Sequence, residues 1–135
     1  MLVIDASAVA DLLLARPAAE QIDRHLDAFG YAMHAPHLLD VEVLNALRRV
    51  VVSGEASRHR AGEAVADLAD LPVERYPHDI LAPRIWQLRN NFSAYDAAYL
   101  ALAEDLAEGG APLLTTDARF ARAARAHSAI DVLDA

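Results

Sequence analysis

The chain has no cysteine and no lysine. Without cysteine there is no disulfide framework, no thiolate metal site and no cysteine nucleophile. Without lysine, all twelve basic residues are arginine, and phosphotransfer domains that engage a phosphoryl group through lysine are disfavoured even where they gather aspartates and Mg²⁺ at strand ends. Glycine is scarce as well. The five glycines form neither a P-loop nor a G-x-G-x-x-G turn, which speaks against the nucleotide-binding folds. Long apolar runs are also missing: none could span a bilayer, and the start Met1-Leu2-Val3-Ile4-Asp5 lacks the basic region and apolar core of a signal peptide. A soluble, cytoplasmic protein is expected, and at 135 residues a single domain over 1–135.

What is present is an alternation. Residues 2–4 read as a short buried strand, followed by Ser7 as N-cap of a helix over 8–15 that stops near Pro17. A second helix, about 18–29, ends at Gly30; residues 31–34 form a weak strand before Pro36, which suits the first turn of a helix reaching Ser53. Ser57 caps a helix to about 68, residues 73–76 are a third strand between two prolines, and 80–89 form a helix with Pro83 near its start. Ser93 opens a helix to Glu108 that Gly109-Gly110 stops; 112–115 is the fourth strand, 118–126 the next helix, and 130–133 can close the sheet. Strands alternating with helices predict an α/β fold with a mainly parallel sheet of four to five strands, covered on both faces.

The formal net charge of −8 argues against a basic nucleic-acid coat. Four carboxylates, Asp5, Glu42, Asp96 and Asp117, account for half of that excess. Asp5 ends the first strand, Asp117 follows the fourth, Asp96 opens a helix, and Glu42 lies one turn into another. Ligands of open α/β sheets bind at the carboxyl ends of strands where strand order reverses. Four acids delivered there repel one another: at ~5 Å and an effective dielectric constant of ~20, each like-charged pair costs roughly 3 kcal/mol. Such a pocket takes up protons or binds a cation. Oxygen ligands without cysteine favour Mg²⁺ or Mn²⁺ over structural zinc, and the six histidines form no convincing ligand pair.

Each acid has a plainer explanation beside this one. Ser93-Ala94-Tyr95-Asp96 resembles a capping box, yet Asp96 also heads the stripe Tyr99, Leu100, Ala103 and Ala107, where a charge needs a partner. Glu42, Asn45 and Arg49 share one stripe opposite Val43, Leu47, Val50 and Val51, as a solvated helix face would. Asp40 is a rival ligand, but two residues of helix turn it about 200° from Glu42. Asp117 could be an N-cap only. Asp5, at the end of a buried strand, is the hardest to leave without a partner.

Four segments in this order and spacing resemble the PIN-domain nucleases, in particular the toxins of bacterial VapBC toxin–antitoxin pairs. They are Val3-Ile4-Asp5-Ala6-Ser7, Glu42 with Asn45 on a helix, Ser93-Ala94-Tyr95-Asp96-Ala97-Ala98-Tyr99-Leu100, and Leu113-Leu114-Thr115-Thr116-Asp117-Ala118-Arg119. The resemblance covers essentially the whole chain. It implies a three-layer α/β/α domain in which Asp5, Glu42, Asp96 and Asp117 hold Mg²⁺ or Mn²⁺, while Ser7, Asn45 and Thr115 or Thr116 orient ligands and waters. It further implies a VapB-like antitoxin partner, an RNA substrate (tRNA, rRNA or mRNA), and a homodimer that forms a heterotetramer or larger complex with the antitoxin.

On that basis the expected activity is hydrolysis of RNA by metal-activated water, leaving 5′-phosphate and 3′-hydroxyl ends and inhibiting translation. Arg49, Arg119 and Arg122 could grip phosphates near the pocket, and Arg48, Arg58 and Arg60 form a more distant basic strip. The antitoxin is expected to cover apolar surface at residues 12–14 and 22–26. The competing reading is a catalytically silent PIN-like scaffold, whose signature would be a lost acid; no acidic position of the pattern is missing.

Overall fold

β1 (Leu2–Ile4) sits in the middle of the molecule because all three of its side chains are apolar and fully buried, as a strand covered on both faces requires. In the computed structural model, which describes residues 1–135, β1 pairs in parallel with β2 (Met33–Pro36) and with β4 (Leu113–Thr115). Val3 lies beside both His34 and Leu113. β3 (Val73–Tyr76) and β5 (Val132–Asp134) complete a five-stranded sheet of order β3-β2-β1-β4-β5, parallel throughout. Strand order reverses between β1 and β4, which opens a crevice at the carboxyl edge of the sheet.

Seven helices cover the two faces: α1 (Ala6–Leu13), α2 (Ala19–Ala28), α3 (Leu38–Val52), α4 (Arg58–Asp70), α5 (Ala82–Gln87), α6 (Ala94–Asp105) and α7 (Ala118–His127). In α3 the buried stripe is Leu39, Val43, Leu47 and Val50, at helical spacing, so Glu42, Asn45 and Arg49 fall outside the core. α6 behaves differently. It is buried on every side from Ala97 to Ala103, packed against α5, β1 and β2, so the single inward stripe expected from its sequence is too narrow. Alanines at 97, 98, 101 and 103 let those neighbours approach, and Ala107 lies beyond the helix, exposed.

Several boundaries differ from expectation for local reasons. α1 begins two residues early because Asp5, not Ser7, is its N-cap: its carboxylate accepts from the Ala8 N–H at 3.0 Å. β2 starts at Met33 rather than Tyr31, since Gly30 and Tyr31 both take positive φ, 65° and 56°, in the turn after α2. Pro36 ends β2 instead of opening α3. β1 reaches no farther along β2 than His34, so no bond with β1 calls on the N–H that proline lacks. α6 stops at Asp105, and the chain turns through Gly109 and Gly110. At Gly110 (φ 86°) a Cβ would stand 2.6 Å from the Ile130 side chain. Leu13, Ile22 and Leu26 are core residues, which leaves only Leu12 and Leu14 partly open on the face expected to receive an antitoxin. No helix is long and apolar enough to cross a membrane.

Candidate functional site

The crevice between β1 and β4 is closed by a reciprocal set of hydrogen bonds. The Thr115 hydroxyl donates to Asp5 Oδ2 at 2.5 Å and accepts from the Asp117 N–H at 3.0 Å. The Ser7 hydroxyl donates to Asp5 Oδ1 at 2.7 Å and accepts from the Thr116 N–H at 3.1 Å. Each strand-to-helix junction thus supplies a hydroxyl to Asp5, and the β4–α7 junction supplies a backbone N–H to each of the two hydroxyls. This clasp fixes a carboxylate that is only 5% exposed. Burial pushes Asp5 up from 3.8 to about 6 against those hydrogen bonds, and the charge of Asp96 pushes the same way.

Around Asp5 opens a recess of about 210 Å³ lined by Glu42, Asn45 and Arg49 from α3, Asp96 and Tyr99 from α6, and Asp117, with Ser7 beside them. All four carboxylates singled out in the sequence face this one space. Asp96 is half-buried, and its protonation moves up to about 6 through burial first and then through the charges of Asp117 and Glu42. Its cap is half a box: Ser93 accepts from the Asp96 N–H at 3.2 Å, while the Asp96 carboxylate is left to the recess. Asp117 divides its oxygens. Oδ1 accepts from the N–H groups of Arg119 and Phe120, capping α7, and Oδ2 stays open. Capping and pocket roles coexist in Asp117, whereas the Asp96 side chain serves the recess alone.

The PIN domain family matches residues 2–126. The chain belongs to that family. It is 42% identical over 122 residues to Ribonuclease VapC12 of Mycobacterium tuberculosis, covering 90% of this chain and 91% of that protein. To Ribonuclease VapC1 of the same organism it is 46% identical over 125 residues, covering 90% and 89%. The crystal structure of Mycobacterium tuberculosis VapC20, a sarcin-ricin loop cleaving toxin, matches the fold with a TM-score of 0.68 at 17% identity, over 91% of this chain and 95% of that one.

Within this PIN domain the structure separates rival residues. Asp40 is turned away from the recess and held by Arg75 through two bonds of 2.6 and 2.8 Å. Thr115 contributes its hydroxyl to the clasp, whereas Thr116 contributes only its backbone N–H. Arg49 lines the recess, Arg119 lines an adjoining cleft, and Arg122 is exposed on α7 outside both. No three histidine or carboxylate side chains are close enough to enclose an ion by themselves. One residue of the site escaped the sequence reading. The Tyr99 hydroxyl, treated there as part of an apolar stripe, donates to Glu42 Oε1 at 2.6 Å. Burial and this bond hold the phenol well above its usual range, so it stays a neutral donor. The signal was available: a tyrosine in a buried stripe needs a partner for its hydroxyl, and this one lies one turn past Asp96.

Proposed function

We propose that this PIN domain is an endoribonuclease, the toxin of a type II toxin–antitoxin pair, that hydrolyses RNA phosphodiester bonds and thereby inhibits translation. The convergence of Asp5, Glu42, Asp96 and Asp117 on one recess carries this reading. Relatives named ribonuclease, similar over nine-tenths of the chain, support it.

The donor chemistry fits a hard divalent ion. The lining offers four carboxylates and no sulfur, and the charges of the others add to burial in driving Asp5 and Asp96 toward protonation. The recess is wide enough for water between ligand and ion, the way Mg²⁺ is commonly held. When bound, Mg²⁺ or Mn²⁺ supplies an activated water and screens charge on the phosphate. The chain's own residues prepare that chemistry. Asp5, Glu42, Asp96 and Asp117 would hold the ion directly or through water. Ser7 and Thr115 fix the plane of the Asp5 carboxylate, Tyr99 fixes Glu42, and the Asn45 amide faces the recess where it can orient a water. Attack by water rather than the ribose 2′-hydroxyl leaves 5′-phosphate and 3′-hydroxyl ends. A VapB-like antitoxin, a homodimeric state and an RNA of the translation machinery complete the proposal.

The test is sequencing of RNA 5′ ends after a brief pulse of expression, comparing wild type with folded Asp5→Ala and Asp96→Ala variants. New 5′-phosphate ends at one or a few positions, absent from both variants, are the expected result. Identical ends in all three would turn the reading to a binding scaffold, and 2′,3′-cyclic phosphate ends would overturn the mechanism.

A further inference from the structure

The acidic recess shares wall residues with two further clefts, and the three together are taken as one groove. Through Ala46 and Arg49 it joins a cleft of about 280 Å³ that also touches Arg16 and Glu55. Through Asp96 and Asp117 it joins another, of about 340 Å³, floored by Phe92 and Phe120 and edged by Asn91 and Arg119. The two clefts adjoin different walls of the recess, one on α3 and one at the starts of α6 and α7.

The arginines sort themselves along this groove. Arg16, Arg24, Arg75, Arg84 and Arg125 are paired with carboxylates. Arg60 donates to the Leu13 carbonyl, and Arg89 lies 4.5 Å over the Trp86 ring. Of the remaining five, Arg48, Arg49, Arg58, Arg119 and Arg122, only Arg49 and Arg119 line the groove, one in each flanking cleft. In the cleft that Arg49 lines together with Arg16, Arg16 is neutralised by Asp11 and Glu55, which leaves Arg49 as its one unpaired cation.

We propose that an unpaired RNA strand lies along the groove, with a phosphate on one side of the scissile bond held by Arg49 and a phosphate on the other side held by Arg119. This rests on the ribonuclease reading. A chain of net charge −8 with acids at the reacting point cannot draw RNA in by its overall field, so attraction has to come from cations on either side. An unpaired strand is required because Asp5 lies on the floor of the recess, 5% exposed; a duplex holds its phosphates on a stiff convex surface, whereas a single strand can bend one inward. Arg49 and Arg119 act on binding and registration, not on the water.

The test is single-turnover cleavage, with Mg²⁺, of a short fluorescein-labelled unpaired RNA spanning the position mapped by 5′-end sequencing, using wild type, Arg49→Ala and Arg119→Ala. Each variant should raise the half-saturating enzyme concentration about 10-fold, keep the maximal rate within about threefold, and lower the slope of log affinity against log salt by about 0.7. Replacing single flanking phosphates by neutral methylphosphonates should weaken binding to wild type on both sides. Arg49→Ala should be indifferent to the replacement on one side and Arg119→Ala to that on the other. Wild-type cleavage with unchanged half-saturation in both variants, or with both variants still sensitive on both sides, overturns the groove assignment alone. Wild type that leaves this RNA uncut, as an Asp96→Asn control does, overturns the ribonuclease reading and the groove with it.

Discussion

Asp5 is asked to be an N-cap, a buried strand terminus and a site carboxylate at once, and its protonation records the conflict. Its folded value of about 6 lies above the ordinary 3.8, so the folded state holds the proton more tightly. That contribution favours folding fully below about pH 4 and is lost as pH rises through 6, a difference of roughly 3 kcal/mol. In EDTA, the stability of wild type relative to Asp5→Asn should therefore fall by that order between pH 4 and pH 7, read by urea unfolding at each pH. A flat difference would mean that the carboxylate is not desolvated. Tyr99 makes a sharper case of one atom mattering. Tyr99→Phe keeps the ring in the core and deletes only the donor to Glu42, so it should leave the fold intact and weaken Mn²⁺ affinity or turnover by about 10-fold. Calorimetric titration with Mn²⁺ reads this directly.

Among the elements, α7 offers the cleanest separation of cap from site, because Asp117 gives one oxygen to each. Asparagine caps a helix as well as aspartate, whereas alanine loses about 1 kcal/mol. Asp117→Asn should match wild type in thermal unfolding and Asp117→Ala should fall below it, while RNA cleavage drops more than tenfold in both. Equal activity in Asp117→Asn and wild type would reduce this acid to a cap. The alternation of strands and helices was legible in the residues, and so were the Ser57 and Ser93 caps, because hydrophobic period and capping chemistry are local. Asp5 and Asp117 could be placed at strand ends for the same reason. What the sequence hid depends on neighbours: Asp5 displaced Ser7 as cap because the hydroxyl was needed across the crevice, β2 slid past Tyr31 because the turn after α2 takes two left-handed residues, and α6 showed no single stripe because partners surround it. The partner of Tyr99 was hidden likewise, since Glu42 is 57 residues away.

For the molecule as a whole, the mutual repulsion of the site acids predicts a stabilising response to cations. Mn²⁺ at 100 times its dissociation constant should add about 2.7 kcal/mol, or about 10 °C in Tm, in wild type. An Asp5→Asn, Asp96→Asn double variant should show almost none of that shift by differential scanning fluorimetry. The clasp has a consequence for timing. Thr115 follows Asp5 by 110 residues, and the central strand acquires its second neighbour only when β4 arrives. A chain still attached to the ribosome that made it, with residues past about 110 yet to emerge, holds neither the fourth acid nor the hydroxyl that fixes the first. Whatever this centre does to RNA, it does only once β4 and the start of α7 have joined β1, so an emerging chain that lacks them carries no complete site.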